Sequence, residues 1–464
     1  MKKLISLILC ILSLSQINGY AQTVPAAGTA QVTPEGREFE GAVERYRIEF
    51  SKLAARRGGV PEDDALVFQF RKKLLPLSTS DLAKVVRENY PQDTSILFYD
   101  YEAGSLRAWV IDQQGIKGYA QSEASSTQIK KTIINLRQAL GIEKLQRARA
   151  PQNRVLEQEE DDPPPAAAQQ AVNIAQAIKS LTALLLPPNI AKALASTRHV
   201  IVVPVLEIGL VPFAVLQPFG AEEFLIDRMS ISFAPSLFDV TAEKPEPWSA
   251  KFNHPLIVGN PQFTDKSKWK IPALPGAEEE AIAVANLLQT KPLIGKAATK
   301  QMVLTQIGDA DLLYFATHGV GDTKNSRNKS FLVFGFTESD LGFWSMEEIL
   351  NSHQKWGVIS GNKIRSPLKA RLAVLSACQT GIGEAWKGGV LSLGRTMQAS
   401  GVPRVVMSLW NVSDNATVDL MKSFVTHLEK DIPAEALRKA MLKTRCEHPS
   451  PAHWAAFVYF GLPY

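Results

Sequence analysis

The spacing of apolar side chains changes along the chain, and each change predicts an element. Phe39, Val43, Tyr46, Ile48, Phe50 and Leu53 recur at roughly helical intervals and predict a helix over 38–57. Ser80 and Asp81 open a second, shorter one. The runs 95–99 and 106–111 are rich in β-branched and aromatic residues, and the stretch 101–105 between them, with Gly104, reads as a hairpin turn. Residues 126–140 and 172–186 return to a helical period. The run 199–205 is continuously apolar and β-branched, as a strand buried on both faces would be.

From residue 255 the two periods alternate. Strands are expected at 256–258, 312–316, 372–376 and 404–409, with a further apolar run at 330–336. Helices are expected at 277–288, 299–307, 390–400, 415–429 and 433–445. This rhythm predicts an α/β fold, a mainly parallel sheet flanked by helices, with ligands at the carboxyl ends of its strands. No self-similarity appears at about 34 residues, so a tetratricopeptide solenoid is not expected within the chain.

Two stretches break the pattern. Residues 1–21 combine Lys2 and Lys3, an apolar run from Leu4 to about residue 15, and the small-residue context Gly19-Tyr20-Ala21. This reads as a secretion signal cleaved after Ala21. The apolar run is shorter than the roughly 20 residues a bilayer-spanning helix needs. The mature chain is therefore expected in the periplasm or outside the cell, without stable membrane insertion. At 156–170, LEQEEDDPPPAAAQQ joins an acidic cluster to three prolines, which neither helix nor sheet accepts, and reads as a surface insertion or linker. The chain then divides into a signal (1–21), a leader and helical segment (22–92), an amino-terminal α/β part (93–150), the insertion (151–171) and a larger unit (172–464). The last of these carries the second α/β rhythm from about residue 250.

Composition narrows the function. A chain of 464 residues with 45% hydrophobic and 21% charged residues is long and apolar enough to fold around a sizeable core. Losing Lys2 and Lys3 with the signal lowers the formal charge from +5 to +3, too small a balance to suggest nucleic acid as a partner. Cys10 leaves with the signal, so Cys378 and Cys446 are the thiols of the mature chain. In an oxidising compartment they could pair; otherwise a thiol retained there invites a chemical role.

Two expected strands end in reactive residues. The strand at 312–316 runs into Thr317-His318-Gly319, and that at 372–376 into Ala377-Cys378-Gln379-Thr380-Gly381. Parallel strands bring both ends to one edge of the sheet. A thiol nucleophile needs an imidazole in reach to take its proton. Gly319 would let the chain turn without a Cβ and offer its amide to an oxyanion, with the amide of Cys378 as the second donor. The bland alternative is that Cys378 is a small core residue at a strand end.

At these residues the sequence resembles the CHAT peptidases, relatives of caspases and separases. The matching blocks are LLYFATHG (312–319), VLSACQTGIG (374–383), GGVLSLGRTMQASGVPRVVMSLWNVSDNAT (388–417) and HWAAFVYFG (453–461). Upstream, VPVLEIGLVPFAVL (203–216), FAPSL (233–237) and LPGAEEEAIAVANLL (274–288) fit the same domain, so the resemblance covers about 93–463. It implies a caspase-like sheet with a degenerate α/β amino-terminal subdomain. It also implies a cysteine endopeptidase with His318 as catalytic histidine, Gly319 as oxyanion-hole donor and Cys378 as nucleophile, acting on a protein or peptide substrate. No metal or organic cofactor is implied.

Substrate in such relatives adds as a β-strand, and residues 407–411 resemble the receiving edge, which places Ser408, Trp410 and Asp414 on the substrate side. Where caspases carry an arginine, this chain has Asn411 and then Asp414, a pattern suited to Arg or Lys before the scissile bond. Asp414 also fits the N-cap of the helix that follows, and Trp410, like Trp386 and Trp454, fits a packing role. Cys446, beside Glu447 and His448, has too few neighbouring ligands in sequence for a zinc site and is expected to be structural. Two other classes of function stay open: an idle or latent module that docks a regulatory protein, and thiol redox chemistry, which the lack of a Cys-x-x-Cys pair disfavours.

Overall fold

The computed structural model describes residues 33–56, 78–142, 167–241, 247–263, 271–321, 329–350, 368–377, 380–381, 383–386, 389–412 and 414–463. The expected secretion signal and residues 151–166 of the insertion lie outside them. The expected hairpin forms as β1 (Thr94–Glu102) and β2 (Ser105–Asp112), with Glu102 opposite Ser105. Its two-residue turn holds Ala103 at φ 51° and Gly104 at φ 83°. Left-handed conformations at both positions match the twist of the flanking strands. A third strand, β3 (Gly115–Glu123), pairs with β2. Apolar spacing does not announce it, because β3 is an edge strand whose residues are only half-buried or exposed.

The remaining strands of the sheet are β4 (His199–Val203), β5 (Ser230–Phe233), β6 (Pro255–Pro261), β7 (Leu293–Gly295), β8 (Leu312–Val320), β9 (Phe331–Val333), β10 (Phe343–Ser345), β11 (Leu372–Ala377), β14 (Val405–Ser408) and β15 (Phe457–Phe460). Between β11 and β14 lies a separate small hairpin of β12 (Glu384–Trp386) and β13 (Gly389–Leu391). Among the described residues thirteen strands join in one sheet, ordered β10-β9-β8-β11-β14-β15-β5-β4-β1-β2-β3, with β6 beside the first half of β8 and β7 beyond β6. The strands β6, β8, β11 and β14 are parallel to one another, as are β1, β4 and β5. The parallel core agrees with the sequence rhythm, and the antiparallel pairs sit at the two edges and at one junction. There β15 runs antiparallel to β14 and parallel to β5, so the two halves of the sheet point in opposite directions. The amino-terminal unit thus continues the same sheet as the strands that carry the candidate chemistry.

Helices cover both faces. In β1, Ile96 and Phe98 pack with Phe39 and Val43 of α1 (Pro34–Arg56) and with Leu82 and Val86 of α2 (Thr79–Asn89). Leu97 and Tyr99 face the other way, into the core shared with Ile129 and Ile133 of α3 (Ser126–Ala139), Leu181 of α4 (Ala167–Leu185) and Ile190 of α5 (Pro188–Leu194). Period-two alternation with both faces apolar explains the continuous hydrophobic run. Burying each such side chain contributes about 1.5–3 kcal/mol, which is what holds α1 and α2 on the sheet.

In the second half, α6 (Pro275–Leu287) lies on β6 and β8, followed by α7 (Lys300–Gln306), α8 (Leu393–Ala399), α9 (Asp414–Leu428) and α10 (Pro433–Glu447). The approach of α6 to β6 is close enough to require Gly259. A Cβ there would stand 2.3 Å from Ala281 Cβ and 2.6 Å from the Ala277 carbonyl oxygen. No described helix is long and apolar enough to cross a membrane.

Candidate active site

The two reactive strands lie side by side. Parallel pairing of β8 and β11 runs from Leu312 opposite Leu372 to Thr317 opposite Ala377. Paired strands are about 4.8 Å apart, so the residue before His318 and the residue before Cys378 are neighbours across the ladder. Cys378 itself lies outside the described residues. The alternative in which it pairs with Cys446 is not seen, since Cys446 is a free thiol.

His318 is half-buried, and its Nε2 lies 2.8 Å from the carbonyl oxygen of Pro272. A carbonyl only accepts, so Nε2 carries the proton and, in the neutral ring, Nδ1 is the basic nitrogen. Burial pushes the imidazole below its ordinary 6.5, partly offset by the Pro272 carbonyl. The ring is therefore neutral over more of the pH range than a free histidine. Phe263 packs beside it with ring centroids 5.6 Å apart.

Below His318 on the same face of β8, the hydroxyl of Tyr314 donates to the buried carboxylate of Glu280 on α6. Burial, with Glu280 beside it, pushes the Tyr314 phenol well above its ordinary value. The helix that receives Tyr314 and the turn that supplies the Pro272 carbonyl are consecutive in the chain. One packed unit thus aligns β8 and fixes the imidazole. Glu280 reads in sequence as one of three acids on a helix, and nothing local marks it as buried.

A second hydrogen-bonded knot holds the end of β11. Thr380 is fully buried, and its hydroxyl is 3.2 Å from the carbonyl oxygens of both Leu375 and Ala377. It also accepts from the Ser408 amide at 3.2 Å. Ser408 in turn donates its hydroxyl to the Ala377 carbonyl at 2.6 Å, and the Gly381 amide donates to the Ser408 carbonyl at 2.9 Å. The chain on either side of positions 378 and 379 is thereby tied to β14. Sequence reasoning missed Thr380 because its partners are backbone carbonyls and a strand nearly thirty residues on.

Several expectations for the substrate side are corrected. Ser408 is buried with its hydroxyl used internally, so it supports the chain around residue 378 instead of facing a ligand. β14 is no receiving edge, because Met407 pairs with Leu375 on one side and Val458 on the other. Trp410 is 2% exposed, and its Nε1 donates to the Ala452 carbonyl at 2.8 Å, which makes it a packing residue. Gly319 does not turn the chain. β8 runs on to Val320, held by β9 with Gly319 opposite Leu332. Asp414 is the first residue of α9 and not the cap before it; its side chain lies outside the described set. Cys446 is exposed, with its Sγ donating to the Leu442 carbonyl at 3.4 Å, so it has no packing role.

Arg137, in the last turn of α3, was not foreseen. It is 3% exposed, donates from Nη2 to the Leu409 carbonyl at 3.0 Å, and sits 5.8 Å from the centroid of the Trp410 ring. Among the described residues its Nε and Nη1 make no hydrogen bond, and burial pushes its pKa down to about 10. A guanidinium in that position braces the segment after β14 from the amino-terminal half of the sheet. The sequence shows only an arginine at a helix end, where a cation is ordinary.

The CHAT domain profile matches residues 175–462. The tetratricopeptide repeat protein 28 of Homo sapiens is 26% identical over 296 residues, and that of Mus musculus is 26% identical over 303. Each alignment covers 57% of this chain and 12% of the relative, so the chain spans a small part of their length. Among solved structures, the separase–securin complex of Saccharomyces cerevisiae superposes with a TM-score of 0.51 at 12% identity, covering 85% of this chain and 31% of that one. The Arg-specific cysteine proteinase gingipain R gives a TM-score of 0.37 at 10% identity, covering 64% and 68%. The fold is caspase-like, a mixed sheet with mostly parallel strands flanked by helices. The family match begins after the β1–β3 unit, which joins the matched region through the pairing of β1 with β4.

Proposed function

The chain belongs to the CHAT domain family, and on that premise we propose that it is an exported cysteine endopeptidase with His318 as base and Cys378 as nucleophile. The observation that carries the proposal is the register at the sheet edge. Ala377 lies opposite Thr317, and the next residue along each chain is Cys378 or His318. The tautomer of His318 adds support, because the Pro272 carbonyl occupies Nε2 and leaves Nδ1 as the proton acceptor.

In the reaction we assign, Nδ1 of His318 takes the thiol proton of Cys378, and the thiolate attacks the carbonyl carbon of the scissile peptide. Backbone amides of Gly319 and Cys378 are the candidate donors to the oxyanion. The tetrahedral adduct collapses as His318 returns the proton to the leaving amine. Water activated by the same imidazole then hydrolyses the thioester and frees the thiol. Asp414, at the first turn of α9, is the candidate for selecting Arg or Lys before the scissile bond.

The test is cleavage of a fluorogenic peptide library by residues 22–464, with Cys378→Ala and His318→Ala alongside. Turnover lost in both variants supports the dyad. Cleavage after Arg or Lys that falls selectively in Asp414→Asn supports the pocket, and cleavage elsewhere removes that assignment alone. Turnover retained by Cys378→Ala would overturn the dyad.

A further inference from the structure

Away from the strand ends that carry His318, a second group of chemistry-bearing side chains gathers where α9, α10 and the turn Pro451–Trp454 meet. Asp419 projects from α9, Glu447 is the last residue of α10, and His448 caps that helix with its amide on the Thr444 carbonyl. One ligand atom from each of Asp419, Glu447 and His448 lies within 4.8 Å of the others. His448 Nε2 is 3.2 Å from Asp419 Oδ2. His453, from the turn, stands edge-on to His448 with ring centroids 5.8 Å apart and planes at 89°.

Charge and chemistry both favour a cation here. Among the described residues neither Asp419 nor Glu447 forms an ion pair with a lysine or arginine; the nearby Arg445 is engaged by Asp227 at 2.6 Å. Two carboxylates held within 4.8 Å of each other without a lysine or arginine partner repel, and a divalent ion relieves that repulsion. An imidazole beside carboxylates is a nitrogen and oxygen donor set that suits zinc-class ions over calcium or magnesium. Ligand atoms around tetrahedral zinc lie about 3.4 Å apart given bonds of about 2.0–2.2 Å, so closing the site takes about 1 Å of movement by surface side chains. Cys446, the residue that sequence reasoning weighed for zinc, points its Sγ back to the Leu442 carbonyl.

We propose that Asp419, Glu447 and His448 bind one zinc-class divalent cation, with His453 or water completing its shell. Binding through Nε2 of His448 moves the ring proton to Nδ1 and replaces the His448–Asp419 hydrogen bond with two bonds to the metal. The site fastens α9 to α10 and to the 451–454 turn. That turn carries Ala452, whose carbonyl accepts from Trp410, and shortly beyond it Ala456 accepts from the Leu409 amide at 2.8 Å. Cation binding would therefore stiffen the support beneath residues 409 and 410.

The experiment is a calorimetric titration of chelator-stripped protein, residues 22–464, with zinc chloride, with bound metal counted by mass spectrometry and Tm followed in parallel. One zinc per chain and a higher Tm are expected for the parent and for Cys446→Ser. His448→Ala and Asp419→Asn are each expected to weaken zinc by at least about tenfold, since even outer-shell losses cost about 10–100-fold. Both are surface substitutions, and circular dichroism confirms that they fold. Failure of the parent to bind zinc, loss of zinc in Cys446→Ser with retention in His448→Ala, or tighter binding of calcium than zinc would each overturn the proposal. None of these readouts depends on peptidase activity.

Discussion

The two halves of the sheet are built alike and end differently. Each has a parallel core buried on both faces, and they meet where β15 joins β14 to β5 in opposite senses. At the end of β1 in the amino-terminal half, charged side chains satisfy one another. Arg107 and Arg45 lie 3.0 and 2.9 Å from Asp100, and both reach Glu102. At the end of β8, His318 has Nε2 on the Pro272 carbonyl and the Phe263 ring beside it, and among the described residues its Nδ1 forms no hydrogen bond. Paired charges are used up in holding a hairpin, whereas a neutral imidazole with Nε2 on a carbonyl presents Nδ1 as a base. The two strand ends differ in how their polar groups are satisfied, and the fold alone does not supply that difference.

The sharpest way to break this contrast is at His318. His318→Gln keeps a side chain able to donate to Pro272 but cannot act as base. Its kcat/KM should fall by about 10²–10⁴, the usual worth of a general base, with little change in Tm. Retained activity would place the base elsewhere. The supporting knot should matter next. Ser408→Ala removes the 2.6 Å bond to the Ala377 carbonyl, leaving it the longer 3.2 Å contact with the Thr380 hydroxyl, at a cost of about 1 kcal/mol. We expect kcat to fall more than KM changes, and an effect confined to Tm would make Ser408 purely structural.

Each half also carries a histidine depressed by burial, His199 on β4 and His318 on β8, which gives a pH test. Both folded values lie below 6.5, so on acidification the unfolded chain takes up these protons first. Their stabilisation is full above pH 6.5 and is lost as pH falls through the folded values, with a slope of at most about 1.4 kcal/mol per pH unit for each group. His199→Gln should flatten the acid slope of unfolding and leave the pH profile of turnover unmoved. His318, as base, should set an acid limb of kcat/KM below 6.5. A limb above 6.5 would contradict its buried setting. The smallest effect is expected at Gly104→Ala in the β1–β2 turn, where φ is 83°. It should cost about 1 kcal/mol and leave activity unchanged, and any loss of turnover would show coupling between the halves.

Much of the molecule was legible from local pattern. The helices at 34–56, 126–139 and 433–447 and the strands β1, β2, β4, β6, β8, β11 and β14 follow from apolar period, because period reports which face a segment buries. β3 escaped it because an edge strand buries little. The extension of β8 past residue 316 also escaped, because pairing with β9 and not local sequence carries the strand through His318 and Gly319.

What the sequence determined by itself is the α/β class and the two strand ends that bear His318 and Cys378, since propensity, periodicity and residue chemistry are local. Tertiary structure decided the rest. It set the register that puts Ala377 opposite Thr317 and turned Ser408 and Trp410 inward. It brought Arg137 to the Leu409 carbonyl across 272 positions of sequence, and gathered Asp419, Glu447, His448 and His453 from three separate elements. The physical reason is common to all of these. A side chain's partner is set by which faces pack and in which register, and those are properties of the assembled sheet that no short window of sequence contains.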